Sequence, residues 1–172
     1  HLKSLFQNSK SLTDSLKGYE IDIKKLIAQN KLTETIKLGL SILLKLGIRL
    51  PEKPGRLPVL IGLIKTRWLL KNKSTDYFDN LPEMTDEKKN AAIRIMSDIS
   101  SAVYFAVPNL VPGLVFKMID YTVKHGLSHK SPFSFAAYGY ILSVYLKKID
   151  KGKNYGDLAL HLAKKIKAEE AV

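Results

Sequence analysis

Apolar residues recur at three- and four-residue intervals along nearly the whole chain, and no segment shows the period-two alternation of a half-buried strand. A chain patterned this way buries its apolar groups by packing helix on helix, so the expected class is all-α. Over residues 11–29, Leu12, Leu16, Tyr19, Ile23, Leu26 and Ile27 share one side of a helix, and Asn30 marks a tight turn. A second helix over 31–46 ends at Gly47, the residue type that most readily takes a left-handed cap. Its polar positions, Glu34, Lys37, Ser41 and Lys45, form only a narrow stripe. That pattern predicts a helix sandwiched between neighbours.

Pro51 and Pro54 then break the pattern, and Gly55 follows them. A third helix is expected over 57–71, carrying Val59, Ile61, Leu63, Ile64, Trp68 and Leu69. Residues 72–82 are the least helical part and read as an exposed loop. Thr85 reads as an N-cap, with Asp86 and Glu87 favourably placed in the first turn. That helix should run to Ala106, burying Ala92, Ile95, Met96, Ile99 and Val103, and stop at Pro108. Asn109 reads as the cap of a helix closed by Gly126, and Ser131 with Pro132 opens another over 131–148. A last helix over 152–168 brings the expected count to about seven.

Two helix–helix junctions match each other. Leu32, Thr35, Gly39 and Ile42 stand at the same spacing as Ile149, Gly152, Gly156 and Ala159. Small residues placed so let two helix backbones approach closely, the structural need of a tetratricopeptide-type hairpin. The expected fold is a right-handed superhelical stack of antiparallel hairpins over 11–46, 85–125 and 131–168, with the third helix inserted after the first hairpin. Residues 1–172 are then a single repeat domain, with 1–10 a frayed or tag-derived start. His1 in place of an initiator Met, and no signal-peptide pattern after it, suggest a piece of a longer chain.

The net charge is +12 on 28 basic residues, of which only Arg49, Arg56, Arg67 and Arg94 are arginine. A Lys-rich solvated surface explains such a balance, and sequence-reading proteins favour the planar fork of Arg. The densest basic region is Lys147, Lys148, Lys151, Lys153, Lys164, Lys165 and Lys167. The chain has no cysteine, which fits a reducing compartment and makes the cytoplasm the expected location. The apolar runs at 38–46 and 57–70 are broken by Lys45, Lys65 and Arg67, so neither reaches the ~18 residues a membrane span needs.

Several runs carry a resemblance. They include Tyr19-Glu20-Ile21, Ile27-Ala28-Gln29-Asn30-Lys31-Leu32, Leu44-Lys45-Leu46-Gly47 and Leu50-Pro51-Glu52-Lys53-Pro54. Further along stand Leu81-Pro82-Glu83-Met84-Thr85-Asp86, Ala91-Ala92-Ile93-Arg94-Ile95 and Phe135-Ala136-Ala137-Tyr138-Gly139. In order and content these are similar to the tetratricopeptide-like helical region of large bacterial signalling proteins. Those proteins join a serine/threonine kinase-like domain, an AAA-type ATPase module and often GAF and histidine kinase domains. The match runs from Leu16 to Ala163 and weakens before Leu16. It implies a segment between the ATPase module and the sensor and output domains, with the family's chemistry lying in those other domains.

The residues themselves point to no catalysis. There is no Gly-rich phosphate loop, no Gly-x-Ser-x-Gly and no nucleophilic cysteine. His125 and His129 have zinc-like spacing, but Gly126 interrupts the helix between them and no carboxylate offers an obvious third ligand. Glu20 with Asp22, and Asp76 with Asp79, read as solvated carboxylates, since neither pair has a nucleophile at readable spacing. No cofactor or metal is expected. The expectation is a non-catalytic scaffold that makes protein contacts, with Trp68, Tyr138, Tyr145, Lys164 and Lys165 as candidate contact residues. The alternative is a basic module for nucleic acid or an anionic membrane surface.

Overall fold

The computed structural model describes residues 12–170, with side chains from 15 to 167. The helices are α1 (Leu12–Ala28), α2 (Leu32–Lys45), α3 (Arg56–Leu69), α4 (Thr75–Asp79), α5 (Glu87–Asp98), α6 (Ser100–Ala106), α7 (Val111–His125), α8 (Ser131–Tyr140) and α9 (Ile149–Glu170). A 3-10 turn at Pro108–Leu110 leads into α7, and a π-helical turn at Ile141–Tyr145 ends α8. Among the described residues the one sheet-type contact is an isolated bridge between Glu83 and Leu127. The expectation about residues 1–10, and Ser11 as a helix start, lies outside the described residues.

Two apolar cores follow from the helix periodicity. In the first, α2 sits between α1 on one side and α5 with α6 on the other, burying Ile23, Ile36, Ile42, Leu43, Ile93 and Met96. This is the sandwiched position its narrow polar stripe predicts. Gly39 makes the approach possible, because a Cβ there would lie 2.6 Å from Cγ2 of Ile99. The second core joins α7, α8 and α9 around Ile119, Phe135, Tyr138 and Leu162. Val111 packs against both cores and α5 packs on α7, so the two are continuous. Arg94 adds a polar tie, donating to Glu20 of α1 at 2.9 Å and to Glu87 of its own helix at 2.7 Å.

Helix ends differ from the sequence reading in instructive ways. Asp86, not Thr85, is the N-cap of α5, its carboxylate accepting from the backbone N–H groups of Lys88 and Lys89 at 2.9 and 3.2 Å. These backbone donors, with the Lys89 charge, hold its carboxyl below the ordinary range. Asn109 does not cap α7, because the 3-10 turn carries the chain into the helix without a side-chain cap. Ser131 is the first residue of α8, and its hydroxyl turns inward to accept from the Ser128 N–H at 2.9 Å and to pair with Thr122 at 2.9 Å. The final helix begins at Ile149, before Gly152. The helix read as continuous to Ala106 is interrupted at Ile99. Residues 72–82 are not simply an exposed loop, since they contain α4, whose Phe78 is buried against Phe135 with ring centroids 4.9 Å apart.

Asp98 is out of place electrostatically. It ends α5, where the helix dipole disfavours negative charge. Half burial pushes its carboxyl up, with Lys130 and Lys24 opposing the shift. An acid with a raised folded-state pKa destabilises the fold once it must ionise. The cost is therefore full above that pKa and fades as pH falls towards the ordinary 3.8. Asp98→Asn is expected to raise Tm at neutral pH, by no more than about 2 °C because half exposure screens the cost. The gain should disappear near pH 3.8 in thermal melts run across pH.

Candidate docking cleft

Helix α3 is attached to the rest of the protein chiefly through α7. The seam needs a glycine: a Cβ on Gly62 would lie 2.8 Å from the Phe116 ring. Val59, Leu63 and Leu69 pack beside it and Thr66 is buried, so one face of α3 is committed to the core. At 100° per residue, Leu57, Leu60, Ile61, Ile64 and Trp68 cluster on the opposite face. All five are exposed, from 44% at Ile61 to 79% at Trp68. Helix α3 is thus apolar on two sides, and only one side is covered within the described residues. A helix apolar all round is ordinarily buried all round.

One flank of this ridge forms the wall of an open cleft of about 980 Å3. Ile64 and Trp68 face across it towards Leu142, Tyr155 and Leu158, with Phe78 and Tyr138 at the base. Lys73 lines it with its ammonium over the Tyr77 ring, and four further cations rim it: Arg67 and Lys71 on the α3 side, Lys148 and Lys151 at the start of α9. None of these four has an ion-pair partner among the described residues. Asp157 is the one carboxylate on the lining. Ser74, Thr75, Asn154 and His161 share the lining with the apolar groups, and the cations outnumber the one carboxylate.

Tyr138 differs from the sequence expectation. It is not a surface contact: 1% exposed, it packs edge-on to Phe116 and Tyr155 at 6.2 and 4.9 Å. Burial pushes its hydroxyl up to about 12, against the pull of the Arg67 charge. Lys165 is also engaged, donating to the backbone carbonyl of Asp79. Beside it His161 meets both Asp79 carboxylate oxygens at 2.9 Å. Together these contacts strap α4 to α9 and hold one wall of the cleft. Lys164 is exposed on the same helix. Trp68 lies on the cleft lip, whereas Tyr145 belongs to a separate exposed aromatic row, Phe105, Tyr104, Tyr140 and Tyr145, with neighbouring centroids 5.3, 6.4 and 6.1 Å apart.

The matched small-residue junctions have unequal surroundings. Thr35, Gly39 and Ile42 are buried and Leu32 is partly so. In the second set Gly152 crosses α8 closely, a Cβ on it falling 2.6 Å from the Gly139 carbonyl oxygen, and Ala159 is buried. Gly156, by contrast, would meet nothing within 4 Å, and Ile149 is 68% exposed. The crossing of α9 over α8 is set by Gly139 and Gly152, and the backbone nitrogen of Gly156 lies at the same crossing, 3.4 Å from where a Cβ on Gly139 would stand.

Residues considered for chemistry are dispersed. His125 packs edge-on to Tyr121 at 5.0 Å, and burial lowers its pKa, aided by the Lys89 charge; His129 is exposed beyond Gly126. Among the described residues no three His, Cys, Asp or Glu side chains gather as a metal site would require. Glu20 is tied to Arg94 and Asp79 to His161, so the two carboxylate pairs are split between structural ties. No described helix is long and apolar enough to cross a membrane. Sequence reasoning singled out Lys148 and Lys151 as part of the densest basic region but not as cleft residues, and missed Leu158; a helical wheel of α3, divided into two faces, would have exposed the ridge. Comparison with protein-family models, curated proteins and solved structures gives no match.

Proposed function

We propose that this chain is a non-catalytic helical-repeat scaffold that makes protein contacts within a multidomain bacterial signalling kinase or ATPase, acting in the cytoplasm. Its hairpins would stack in the right-handed, tetratricopeptide-like manner and constrain the arrangement of adjoining domains. The observation that carries this reading is the second apolar face of α3, from Leu57 to Trp68, which stands exposed beside an open cleft. A contiguous exposed patch of that kind marks an interaction surface. The placement in a larger signalling chain rests on the resemblance of its sequence runs alone.

Cross-linking of the chain to its flanking domains, supplied on one polypeptide or in trans, tests the reading. Cross-links that map to α3 and the cleft, and that change with nucleotide in the ATPase module, are the expected result. An absence of cross-links in every nucleotide state overturns it. The cations on the cleft rim favour a second reading, binding of nucleic acid or an anionic membrane, which requires affinity that falls steeply with salt.

A further inference from the structure

We infer that the cleft between α3 and α9 is a docking groove for an acidic amphipathic helix of a partner protein or adjoining domain. The inference rests on the scaffold reading and names the chemistry of its partner. Two observations converge on it. Ile64 and Trp68 of the α3 ridge, with Leu142, Tyr155 and Leu158 across the cleft, offer apolar surface to the i, i+3, i+4, i+7 side chains of a helix laid lengthwise, with Ser74, Thr75 and Asn154 interleaved as polar partners. The cleft is open to solvent along one side, so a helix can enter it sideways.

Charge then selects among helices. Arg67 and Lys71 on one lip face Lys148 and Lys151 on the other, none with an ion-pair partner among the described residues. A helix with Glu or Asp flanking its apolar stripe would meet cations on both edges, while a basic helix would be repelled by both. A bilayer surface could reach Trp68 and Ile64 at the lip. Being flat, it would not enter the concave site between α3 and α9. Nucleic acid would use the cations and leave the apolar side chains uncovered.

Trp68 is the sole tryptophan of the chain and stands on the lip, so its emission reports occupancy directly. The probe is a synthetic amphipathic peptide of about 18 residues with a Leu stripe and Glu flanks, long enough for five turns. It is compared with a scrambled peptide of the same composition, a Lys-flanked version, phosphatidylglycerol vesicles and single-stranded RNA. The expected result is a saturable blue shift of Trp68 with the Glu-flanked peptide alone. Affinity should fall at least tenfold in the Lys148→Glu/Lys151→Glu variant and in Ile64→Ser, both exposed changes that leave the circular dichroism spectrum unaltered.

Equal binding of the scrambled or Lys-flanked peptide overturns the inference, as does a stronger response to vesicles or RNA. Absence of any blue shift, with flanking-domain cross-links still formed in both variants, overturns the groove while leaving the scaffold reading in place. Absence of those cross-links in the unaltered chain removes the scaffold reading itself.

Discussion

Gly126→Ala is expected to cost about 3 kcal/mol and to lower Tm by roughly 6–12 °C, read from thermal or urea unfolding. Two causes add. Gly126 closes α7 at φ 103° and ψ −180°, a backbone region that only glycine occupies without strain. An alanine Cβ would also sit 2.3 Å from the Pro82 carbonyl oxygen, a backbone atom with no rotamer to escape into. That carbonyl is already engaged, accepting from the Leu127 N–H at 2.8 Å while Met84 N–H donates back to Leu127 at 2.7 Å. Relief of the clash therefore breaks the bridge that joins the α4–α5 and α7–α8 connections. Gly47→Ala is the control: φ is 81° but nothing lies within 4 Å, so only the conformational cost of about 1 kcal/mol is expected. Equal losses at the two positions would contradict the bridge as the source of the larger effect.

Phe78→Ala is expected to cost about 3–5 kcal/mol, the range for deleting a fully buried ring, if α4 stays docked around the cavity. Phe78 is 1% exposed and supplies the main apolar anchor of a five-residue helix whose other ties are the polar contacts of Asp79 with His161 and Lys165. Undocking of α4 would cap the loss at the free energy of that local opening. The two outcomes separate by limited trypsin digestion: cutting at Lys71 and Lys73 accelerates strongly if α4 is released and little if the cavity is retained. Tyr77, its exposed neighbour, is the reference, and Tyr77→Ala should cost less than about 1 kcal/mol. Phe78 also forms part of the cleft base, so its loss should weaken peptide docking without touching the rim cations.

Much of the helical layout was legible in the residues. The narrow polar stripe of α2, the Gly47 and Gly126 ends and the buried set Ala92, Ile95, Met96, Ile99 and Val103 all appear where local periodicity put them. Such features depend on residues three or four positions apart, so a linear reading contains their cause. Helix α4 was not legible, because five residues are too few to show a period and Phe78 is buried by a contact made 57 residues away in sequence, at Phe135. The near-complete burial of Tyr138, a candidate contact residue, was not legible for a similar reason. Its burial follows from the crossing of α8 and α9 at Gly139 and Gly152, which brings Tyr155 over it.

The sequence by itself determined that the protein is built from helices, roughly where most of them start and stop, and that it carries a large positive charge. Tertiary structure alone decided which apolar face of α3 is covered and which is left open. Both faces are apolar, and hydrophobicity has no direction until a neighbour is in place. Gly62 admits the Phe116 ring on one side, and that close approach turns Leu57, Leu60, Ile61, Ile64 and Trp68 outward. The same packing brings Lys148 and Lys151 into line with Arg67 and Lys71 across about 80 residues of chain. Charge in a sequence is only a sum, and the fold is what gathers it along the edge of a groove.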